Sequence, residues 1–517
     1  MLLNKHGYAM KEFDFNNLFI FDLANNHQGD VEHALNIIQE LGDVVKKNKI
    51  RAAFKFQFRA LDSFIHPDFK SRKDVPHIPR FMKTALSMED YKIMTDEVCK
   101  QGMITICTPF DELSVERILQ LNIEIIKIAS CSAADMPLLQ KIASAGKPVI
   151  ASTAGLPVSN IDKLVSYFKD KDVHFAIMHC VAIYPTPNNK LKLNQIDFLK
   201  SRYPDIPIGF STHEVPDNLS PIKIAYAKGA RLFERHVGKN TEKYKLNAYS
   251  STPEQIDKWI QSYFEVADSC GNEYRSPSEE VELSSLRSLM RGVYVKRNIV
   301  KGEKISKDDV FFAMPLQENQ LKSGEWVSGI IADKDYEVNS PLSDKLAKYD
   351  VSEEQIIYDI MLQVKGMLND ARIFIKTEAS LELSHHYGLE RFREFGAVIF
   401  DIVNRGYCKK IIVMLPRQKH PYHYHKKKEE TFNLLAGDLE VELEGKRTKL
   451  EPGDLFLIEP NQWHKFHTLD GAIFEEVSST HFNNDSFYED EKISKLLREK
   501  RKTKVDLNTL KRHDYST

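Results

Sequence analysis

Hydrophobic and polar positions follow a regular rhythm over the first half of the chain. Short apolar runs rich in β-branched and aromatic residues alternate with longer amphipathic stretches such as VEHALNIIQELGDVVKKN and PEQIDKWIQSYFEVADSC. The eight runs are NLFIFDLA (17–24), AAFKFQ (52–57), MITICT (103–108), IEIIKIA (123–129), PVIAST (148–153), HFAIMHC (174–180), PIGFS (207–211) and ARLFERHV (230–237). Alternating strands and helices at this spacing predict an α/β fold, a (β/α)8 TIM barrel over residues 14–275.

The pattern changes after the eighth unit. A polar linker leads into VYVKRNIVKGEKISKDDVFFAMP, which predicts a compact β-rich module over 285–348. A helical connector is expected at 349–371. Short strands with Gly and Pro turns then predict a β-barrel over 372–482. The charged residues 483–517 are expected to form a solvated helix or tail.

Composition narrows the class of protein. The 517 residues are enough for two to four domains. With 72 basic and 74 acidic residues, the formal net charge is −2, so no excess positive charge indicates nucleic acid or an anionic membrane as partner. No apolar run is long enough for a signal peptide or a membrane span. The six cysteines form no CxxC motif and are expected to be reduced, buried thiols of a cytoplasmic protein.

Reactive and ligating residues fall at the ends of the apolar runs, where barrel enzymes place their active sites. His213 and His236 end consecutive predicted strands, so their imidazoles can converge on one divalent ion such as Mn²⁺, Mg²⁺ or Co²⁺. The alternative is that each is a hydrogen-bonded histidine of the barrel rim.

Two lysines stand in apolar surroundings near strand ends, Lys55 in FKF and Lys127 in IIKIA. A single lysine is usually a surface residue. In an apolar setting, however, a charge without a partner is costly, so a bound anion is expected. Together with nearby hydroxyl residues, the two ammonium groups predict a site for a phosphate or carboxylate dianion. The hydroxyl residues are Thr108, Ser130, Ser152 and Ser211.

Eight segments together resemble the sialic acid synthase family, in the order found there. They are NNHQGD (25–30), FKFQ (54–57), CTPFD (107–111), IKIAS (126–130), GKPVIAST (146–153), MHCVAIYPTP (178–187), IGFSTHE (208–214) and FERHV (233–237). The module RGVYVKRNIVKGEKISKDDV resembles the antifreeze-like (SAF) domain that follows the barrel in that family. The resemblance implies a homodimer in which this module swaps across to cap the partner's active site.

The resemblance also implies the chemistry, a metal-assisted condensation of phosphoenolpyruvate with an aldose that forms a nonulosonic acid and releases phosphate. His213 and His236 would hold the metal that polarises the aldehyde, and Asp22 would handle the proton of the attacking water. Asn26 and Tyr184 would contact the sugar. Phosphoenolpyruvate would be bound by Lys55, Gln57, Thr108, Lys127, Ser130, Ser152 and Ser211.

Several positions depart from the family pattern at the sugar end. Ala182 stands where the family has an asparagine, and Met314 where the capping domain usually contributes an arginine. An aspartate usual before the last barrel helix falls at about Leu246 or Asn247. We therefore expect a sugar other than the usual N-acetylmannosamine. The alternative is that the synthase is impaired.

A second candidate site lies in HPYHYHKKKEETF, residues 420–432. On a strand, residues two apart face the same side, so His423 and His425 can point into a small barrel together. Glu430 and His464 complete a ligand set common for Mn²⁺, Fe²⁺, Ni²⁺ or Zn²⁺. The alternative is a charged surface strand, and Lys428 could face either a substrate or solvent.

The spacing of these ligands resembles the cupin motif pair, and more narrowly the sugar-isomerase cupins of the D-lyxose isomerase type. Cupins host many functions on one fold, so three roles stay open. The cupin isomerises a ketose to the aldose that the barrel consumes, binds a sugar, or is a metal-bound structural cap. A further hypothesis makes the whole protein a sugar isomerase or a sugar-binding protein with a degenerate synthase barrel.

Overall fold

The structure of the protein is a computed structural model that describes residues 13–75, 77–272, 275–348, 353–375, 379–482 and 484–506, apart from the side chains of Ala347, Lys348 and Gln355. The chain divides into two compact units, Met1–Ser276 and Pro277–Thr517. No helix within the described ranges is long and apolar enough to cross a membrane.

The first unit is a closed barrel of eight parallel strands in sequence order. They are β1 (Leu18–Asp22), β2 (Arg51–Phe58), β3 (Ile104–Pro109), β4 (Ile125–Ile128), β5 (Val149–Ser152), β6 (Phe175–Cys180), β7 (Ile208–Thr212) and β8 (Leu232–His236). Each overlaps one of the eight predicted runs, so the α/β barrel is confirmed. The strands are buried on both faces, which is why they appear as continuous apolar runs in the sequence.

Helices surround the barrel. They are α1 (Val31–Asn48), α2 (Leu61–Phe64), α3 (Ile78–Lys83), α4 (Met88–Lys100), α5 (Glu112–Gln120), α6 (Met136–Ala143), α7 (Val158–Asp170), α8 (Asn194–Arg202), α9 (Ser220–Ala227) and α10 (Pro253–Cys270). Helices α1 and α10 match the two amphipathic stretches. The side chain of Asp30 caps α1, and Thr252 and Gln255 form a capping box on α10.

Side-chain alternation on the strands separates the barrel interior from the helix-facing core. Ile20 belongs to the interior cluster, whereas Phe19 belongs to the larger core under the helices. At the end of β1, Asp22 is in register with Lys55 of β2 and His236 of β8. The strand register therefore brings the polar side chains to the same level at the C-terminal end of the barrel.

The second unit begins with α11 (Glu280–Leu289) and a small β-rich module. Its strands are β9 (Gly292–Val295), β10 (Lys304–Ile305), β11 (Val310–Ala313) and β12 (Ile330–Ile331). Strand β9 pairs with β11, and β10 pairs with β12, both antiparallel. The side chains of Val293, Ile305 and Leu342 are fully buried in its core. The antifreeze-like nature of this module stays a prediction.

Helix α12 (Glu353–Asp370) precedes the C-terminal sheets. The following strands are β13 (Ser380–Ser384), β14 (Ala397–Asn404), β15 (Tyr407–Met414), β16 (His423–Tyr424), β17 (Glu430–Gly437), β18 (Leu439–Leu443), β19 (Lys446–Leu450), β20 (Leu455–Ile458), β21 (His464–His467), β22 (Ala472–Ser479), β23 (Phe487–Tyr488) and β24 (Lys502–Val505), with the short helix α13 (Glu491–Ser494) before β24. They form a seven-stranded sheet, β20-β17-β22-β15-β14-β13-β24, and a five-stranded sheet, β19-β18-β21-β16-β23. This is the β architecture expected of a cupin.

Packing corrects two expectations about this region. Helix α12 is more than a connector, because its residues Ile360 and Val364 share a buried core with Leu381 of β13. The charged segment after residue 482 is not a solvated tail over its described part, because β23 pairs with β16 and β24 pairs with β13. Lys502 of β24 lies 2.6 Å from the buried Glu382 of β13, so a lysine-rich segment is held in the sheet by charge. Residues 507–517 lie outside the described residues.

The cysteines also differ in part from expectation. All six are free thiols. Three are buried, but three are exposed, so the expectation of buried thiols is wrong for half of them. The exposed ones are Cys99, Cys131 and Cys270. Cys99 and Cys270 lie in the last turns of helices α4 and α10, whose outer faces contact solvent.

Candidate functional sites

A cavity of about 750 Å³ opens at the C-terminal end of the barrel. All twelve barrel residues that the sequence singled out line it. They are Asp22, Asn26, Lys55, Gln57, Thr108, Lys127, Ser130, Ser152, Tyr184, Ser211, His213 and His236. The fold therefore brings the whole set together in one place, while the role of each residue stays a prediction.

A buried carboxylate, Glu234, joins the two lysines of this cavity. Its Oε1 lies 2.7 Å from Lys55 Nζ, and its Oε2 lies 3.0 Å from Lys127 Nζ. Lys55 Nζ also lies 3.0 Å from Asp22 Oδ2. These four residues are at most 4% exposed. When all are ionised, the cluster holds two positive and two negative charges and is neutral.

These ion pairs correct the expectation that Lys55 and Lys127 lack charged partners within the protein. Burial lowers the pKa of Lys55, but the Asp22 and Glu234 carboxylates outweigh burial and raise it above its usual value. Burial also lowers the pKa of Lys127, and Glu234 offsets only part of that effect. Burial favours the neutral form of Glu234, yet Lys127 and Lys55 hold its pKa well below the usual range. A bound anion would therefore compete with Glu234 for both lysines.

Hydroxyl groups surround the lysines. Lys127 Nζ donates to Ser152 Oγ at 2.7 Å, and Ser130 Oγ accepts a hydrogen bond from the backbone N–H of Ala154 at 3.0 Å. Thr108 Oγ1 is buried and has no hydrogen-bond partner among the described residues. Buried polar groups in proteins nearly always have a partner. The unpaired Thr108 hydroxyl in the wall of the cavity therefore fits a group that binds a ligand.

His213 and His236 lie side by side in the cavity, with ring centroids 5.2 Å apart. His213 Nδ1 lies 2.9 Å from the carbonyl oxygen of Val181, which can only accept, so the lone pair is on Nε2. His236 Nδ1 lies 3.4 Å from Asp22 Oδ2. Burial, assisted by His236, lowers the pKa of His213 to about 3, and burial also lowers the pKa of His236. Both rings are neutral near pH 7, which fits ligation of a divalent ion completed by water or substrate oxygens.

The two residues predicted to contact the sugar differ in their exposure and in the hydrogen bonds they already form. The Tyr184 side chain is half exposed, and its ring centroid lies 4.3 Å from that of His213. Asn26 is buried, and its Nδ2 donates to the Val237 carbonyl oxygen at 2.7 Å and to Ser250 Oγ at 3.0 Å. The amide nitrogen of Asn26 is therefore already engaged in holding two loops at the barrel end.

A second cluster of potential ligands lies in the C-terminal sheets. His423, His425 and His464 are buried, and one ring nitrogen of each lies within 4.8 Å of the others. The pairing of β16 with β21 sets His423 directly opposite His464. The Nδ1 atom of each ring lies 2.5 to 3.0 Å from a backbone carbonyl oxygen, which fixes the tautomer. The three Nε2 atoms then carry the lone pairs, as metal ligation requires.

Glu430 completes this cluster. Its Oε1 lies 3.5 Å from His425 Nε2, and its Oε2 lies 3.3 Å from His464 Nε2. Glu430 Oε2 and His464 Nε2 are buried without hydrogen-bond partners in the described part of the chain, which fits a shared cation. Lys428 is buried and forms ion pairs with Glu430 and Glu476, so it does not face solvent. The adjacent cavity measures only about 50 Å³.

Further residues of the barrel cavity lie outside the set that the sequence predicts, among them Glu234 and Arg59. Glu234 is two positions before His236 on β8 and therefore faces the same side, a signal that was available from strand periodicity. Ser211 Oγ donates to Glu234 Oε1 at 3.1 Å. Arg59 directly follows β2 and lines the cavity between two phenylalanine rings, an arrangement that no local pattern indicates.

The eight-stranded α/β barrel, with buried lysines and a pair of buried histidines at its C-terminal end, has the form of a barrel enzyme. Residues 45–291 match the model of the NeuB family, and residues 410–474 match that of the cupin domain. The chain belongs to the NeuB family, the family of the sialic acid synthases.

Three relatives illustrate the likeness. A crystal structure from Chromobacterium violaceum ATCC 12472, described as spore coat polysaccharide biosynthesis protein E, has 43% identity and a TM-score of 0.62 and covers 64% of this chain and 98% of that one. An uncharacterized protein of Methanocaldococcus jannaschii is 31% identical over 297 residues, 56% of this chain and 82% of that protein. The N-acetylneuraminate-9-phosphate synthase of Mus musculus is 26% identical over 297 residues, 56% of this chain and 80% of that protein.

Proposed function

We propose that the barrel condenses phosphoenolpyruvate with an aldose to form a nonulosonic acid and release phosphate. The observation that carries this proposal is the meeting of Lys55, Lys127, His213 and His236 in one cavity with four hydroxyl residues. Membership of the NeuB family supports it. A structural barrel would have no need of two buried ammonium groups, because each costs free energy to bury.

Phosphoenolpyruvate would bind at the lysine pair. The ammonium groups of Lys55 and Lys127 and the unpaired hydroxyl of Thr108 are donors that an anionic phosphate or carboxylate group can use. Because Asp22 and Glu234 already neutralise the lysines, added positive charge favours anion binding. A divalent ion on His213 and His236 would supply that charge and act as a Lewis acid toward the sugar aldehyde.

The remaining steps fall to the protein's own groups. Carbon C3 of phosphoenolpyruvate bonds to the aldehyde carbon, water adds its oxygen at C2, and the bond from C2 to the phosphate oxygen breaks. Water supplies both protons, one to the new sugar hydroxyl and one to the departing phosphate. Asp22 Oδ2 lies 3.0 Å from Lys55 Nζ and 3.4 Å from His236 Nδ1, so its carboxylate is held where it can accept and pass on the water proton.

The acceptor is proposed to differ from N-acetylmannosamine. Ala182 lines the cavity where the family resemblance places an asparagine, so one amide that could bond a sugar substituent is missing. Removal of a hydrogen-bonding group from a site weakens selection for the partner group on the substrate. Aldoses without the N-acetyl group, or with another substituent there, are therefore the first to test.

The test is phosphate release from phosphoenolpyruvate in the presence of a panel of aldoses and a divalent metal, with the product identified by mass. Lys127→Met and His236→Ala should each abolish release. Lys92→Met is the matched control, because Lys92 is exposed on α4 and pairs with Asp96. Activity that survives both cavity substitutions would refute the proposal.

For the cupin we propose a second divalent metal, Mn²⁺, Fe²⁺, Ni²⁺ or Zn²⁺, held by His423, His425, Glu430 and His464. The buried pair of Lys428 and Glu476 beside the ligands favours a chemical role over a purely structural cap, because a structural ion needs no further buried charges. The cavity beside the ligands measures only about 50 Å³, so a sugar would require the site to open.

Two roles fit this second site, isomerisation of a ketose to the aldose that the barrel uses, and binding of a sugar. Solvent deuterium exchange at C2 of an aldose separates them, because only isomerisation moves that proton. Exchange that persists in His236→Ala and is lost in His423→Ala assigns isomerisation to the cupin. Sugar binding without exchange assigns the binding role instead.

A further inference from the structure

A short loop connects two of the ligands proposed for the cupin metal. Residues 426–429 run from His425, which follows β16, to Glu430, the first residue of β17. The two ligands can bind one ion only if this loop keeps them close together, and His425 Nε2 lies 3.5 Å from Glu430 Oε1. The residues of the loop form no helix or strand, so its conformation depends on the groups that bind its backbone.

The carboxylate of Asp485 binds the backbone of this loop. The N–H groups of Lys426 and Lys427 donate to Oδ1 at 3.1 and 3.2 Å. Those of Lys427 and Lys428 donate to Oδ2 at 3.1 and 3.0 Å. Three successive N–H groups thus surround one carboxylate, in the manner of the backbone nests that bind anions. A single side chain therefore fixes most of the backbone between the two ligands.

Asp485 also reaches both ligands themselves. Its carbonyl oxygen accepts a hydrogen bond from His425 Nδ1 at 2.5 Å, which leaves the lone pair of that ring on Nε2. Its link to Glu430 runs through Lys428, whose N–H group bonds the Asp485 carboxylate and whose Nζ forms an ion pair with Glu430. Asp485 therefore acts on one ligand through its own carbonyl group and on the other through a buried lysine.

Burial makes the loop sensitive to the loss of this carboxylate. Asp485 is 4% exposed, and Lys428 is 3% exposed. Hydrogen bonds to a charged acceptor are stronger than those between neutral groups, and a buried donor that loses its partner is costly. Without the carboxylate, the buried N–H group of Lys428 has no acceptor, which favours rearrangement of the loop. Such a rearrangement moves His425 relative to Glu430.

We propose that Asp485 is a positioning residue of the cupin metal site, which holds the loop between His425 and Glu430 so that both bind one divalent ion. The inference rests on the proposed cupin metal and adds a residue that touches neither the ion nor a substrate. Asp485 comes from the charged segment after residue 482, which the sequence predicted to be solvated. Groups that orient metal-binding histidines from outside typically contribute about 10- to 100-fold to metal affinity.

The experiment measures ion binding to the full-length protein carrying His236→Ala, which breaks the histidine pair of the barrel. Zn²⁺ is titrated in competition with a chromophoric chelator, and Mn²⁺ is followed by the electron paramagnetic resonance signal of the free ion. The variants are Asp485→Ala and Asp485→Asn. Asp438→Ala is the matched control, because the Asp438 carboxylate also accepts from successive loop N–H groups, those of Leu469 and Asp470, which are not proposed ligands. Thermal melting reports the stability of each variant.

Asp485→Ala should weaken binding of the ion that the parent prefers by roughly 10- to 100-fold. Asp485→Asn should show a smaller loss, because its amide keeps one oxygen as an acceptor. Since both variants lack the charge, the difference between them measures the effect of the hydrogen bonds. Asp438→Ala should lose thermal stability and yet bind the ion as the His236→Ala parent does.

Two results would overturn the inference. One is unchanged ion affinity in a folded Asp485→Ala variant, and the other is an equal loss of affinity in Asp438→Ala, which would indicate general loosening of the cupin. If Asp485→Ala does not fold, Asp485→Asn decides, and full affinity there refutes the positioning role. The failure of the proposed metal site looks different, because then the His236→Ala parent binds neither ion in a way that His423→Ala removes.

Discussion

Glu234→Gln removes one negative charge from a buried cluster and keeps the shape of the side chain. Lys127 Nζ, 3.0 Å from Glu234, then loses the carboxylate it contacts in the described structure, while Lys55 retains Asp22. The variant therefore leaves an uncompensated ammonium group at a position that is 2% exposed. The free protein should lose stability, and an anionic ligand should restore it.

The size of the effect follows from the geometry. At 3 Å, two unit charges attract by about 5–6 kcal/mol at an effective dielectric constant of about 20. Part of that is offset by desolvation, and removing one partner of a buried pair typically costs about 3–5 kcal/mol. For a barrel of this size the corresponding fall in Tm is roughly 6–20 °C. Phosphoenolpyruvate, bound at Lys127, should raise the Tm of the variant by more degrees than that of the unmodified protein.

Differential scanning calorimetry of the full-length protein, with and without phosphoenolpyruvate, measures both quantities. Glu214→Gln is a matched control, because Glu214 and Arg235 form an equally buried pair at 3.3 Å outside the cavity. That variant should be destabilised without rescue by the ligand. The reasoning is wrong if Glu234→Gln melts within about 2 °C of the unmodified protein, or if the ligand rescues both variants equally.

Further predictions concern pH, metal and assembly. Burial, with a smaller effect of His33, lowers the pKa of His27 from 6.5 to about 4, so its contribution to stability is full above pH 6.5 and is lost as pH falls toward 4. When the pH is lowered from 6.5 to 5, the free energy of unfolding should fall by about 1.5 kcal/mol less in His27→Gln than in the unmodified protein, as measured by chemical denaturation. Elemental analysis of His423→Ala should show one divalent ion fewer per chain, with phosphate release by the barrel retained. Sedimentation should show a dimer, as the resemblance of the capping module implies, and a monomer at all concentrations would contradict the swapped arrangement.

The barrel could be predicted because its strands are buried on both faces and bounded by polar turns, so each appears as an apolar run. The meeting of the lysines, hydroxyl residues and histidines followed from one rule, that parallel strands of a closed barrel end at the same level. Asp22, Asn26, Gln57 and Tyr184 were implied by the family resemblance. The ion pair of Lys55 with Glu234 could not be predicted in the same way. These residues are 179 positions apart, and they meet only because β8 closes the barrel against β1.

The cupin ligands were predictable from local spacing, since His423 and His425 share a strand face and His464 returns in the opposing strand. The burial and ion pairing of Lys428 could not be predicted, because its partner Glu476 comes from β22, another strand of the seven-stranded sheet. The prediction of a solvated helix or tail after residue 482 was wrong for a related reason. Its lysines appear solvated in the sequence, yet Lys502 has a buried acidic partner in a distant strand.

Strand β24 has a consequence for how the protein stays in solution. Among the described residues it is an edge strand of the seven-stranded sheet and pairs with β13 alone. Of the two lysines in its sequence KTKV, Lys502 is paired with Glu382, whereas Lys504 is exposed, and a charge on an edge strand discourages another chain from adding a strand. Without β24, strand β13, which carries Leu381 and Leu383, would become the edge strand of the sheet. Glu382 would then lose its ion pair with Lys502. We therefore expect the charged segment to oppose the addition of strands from other chains, and truncation of the chain near residue 482 should produce aggregates.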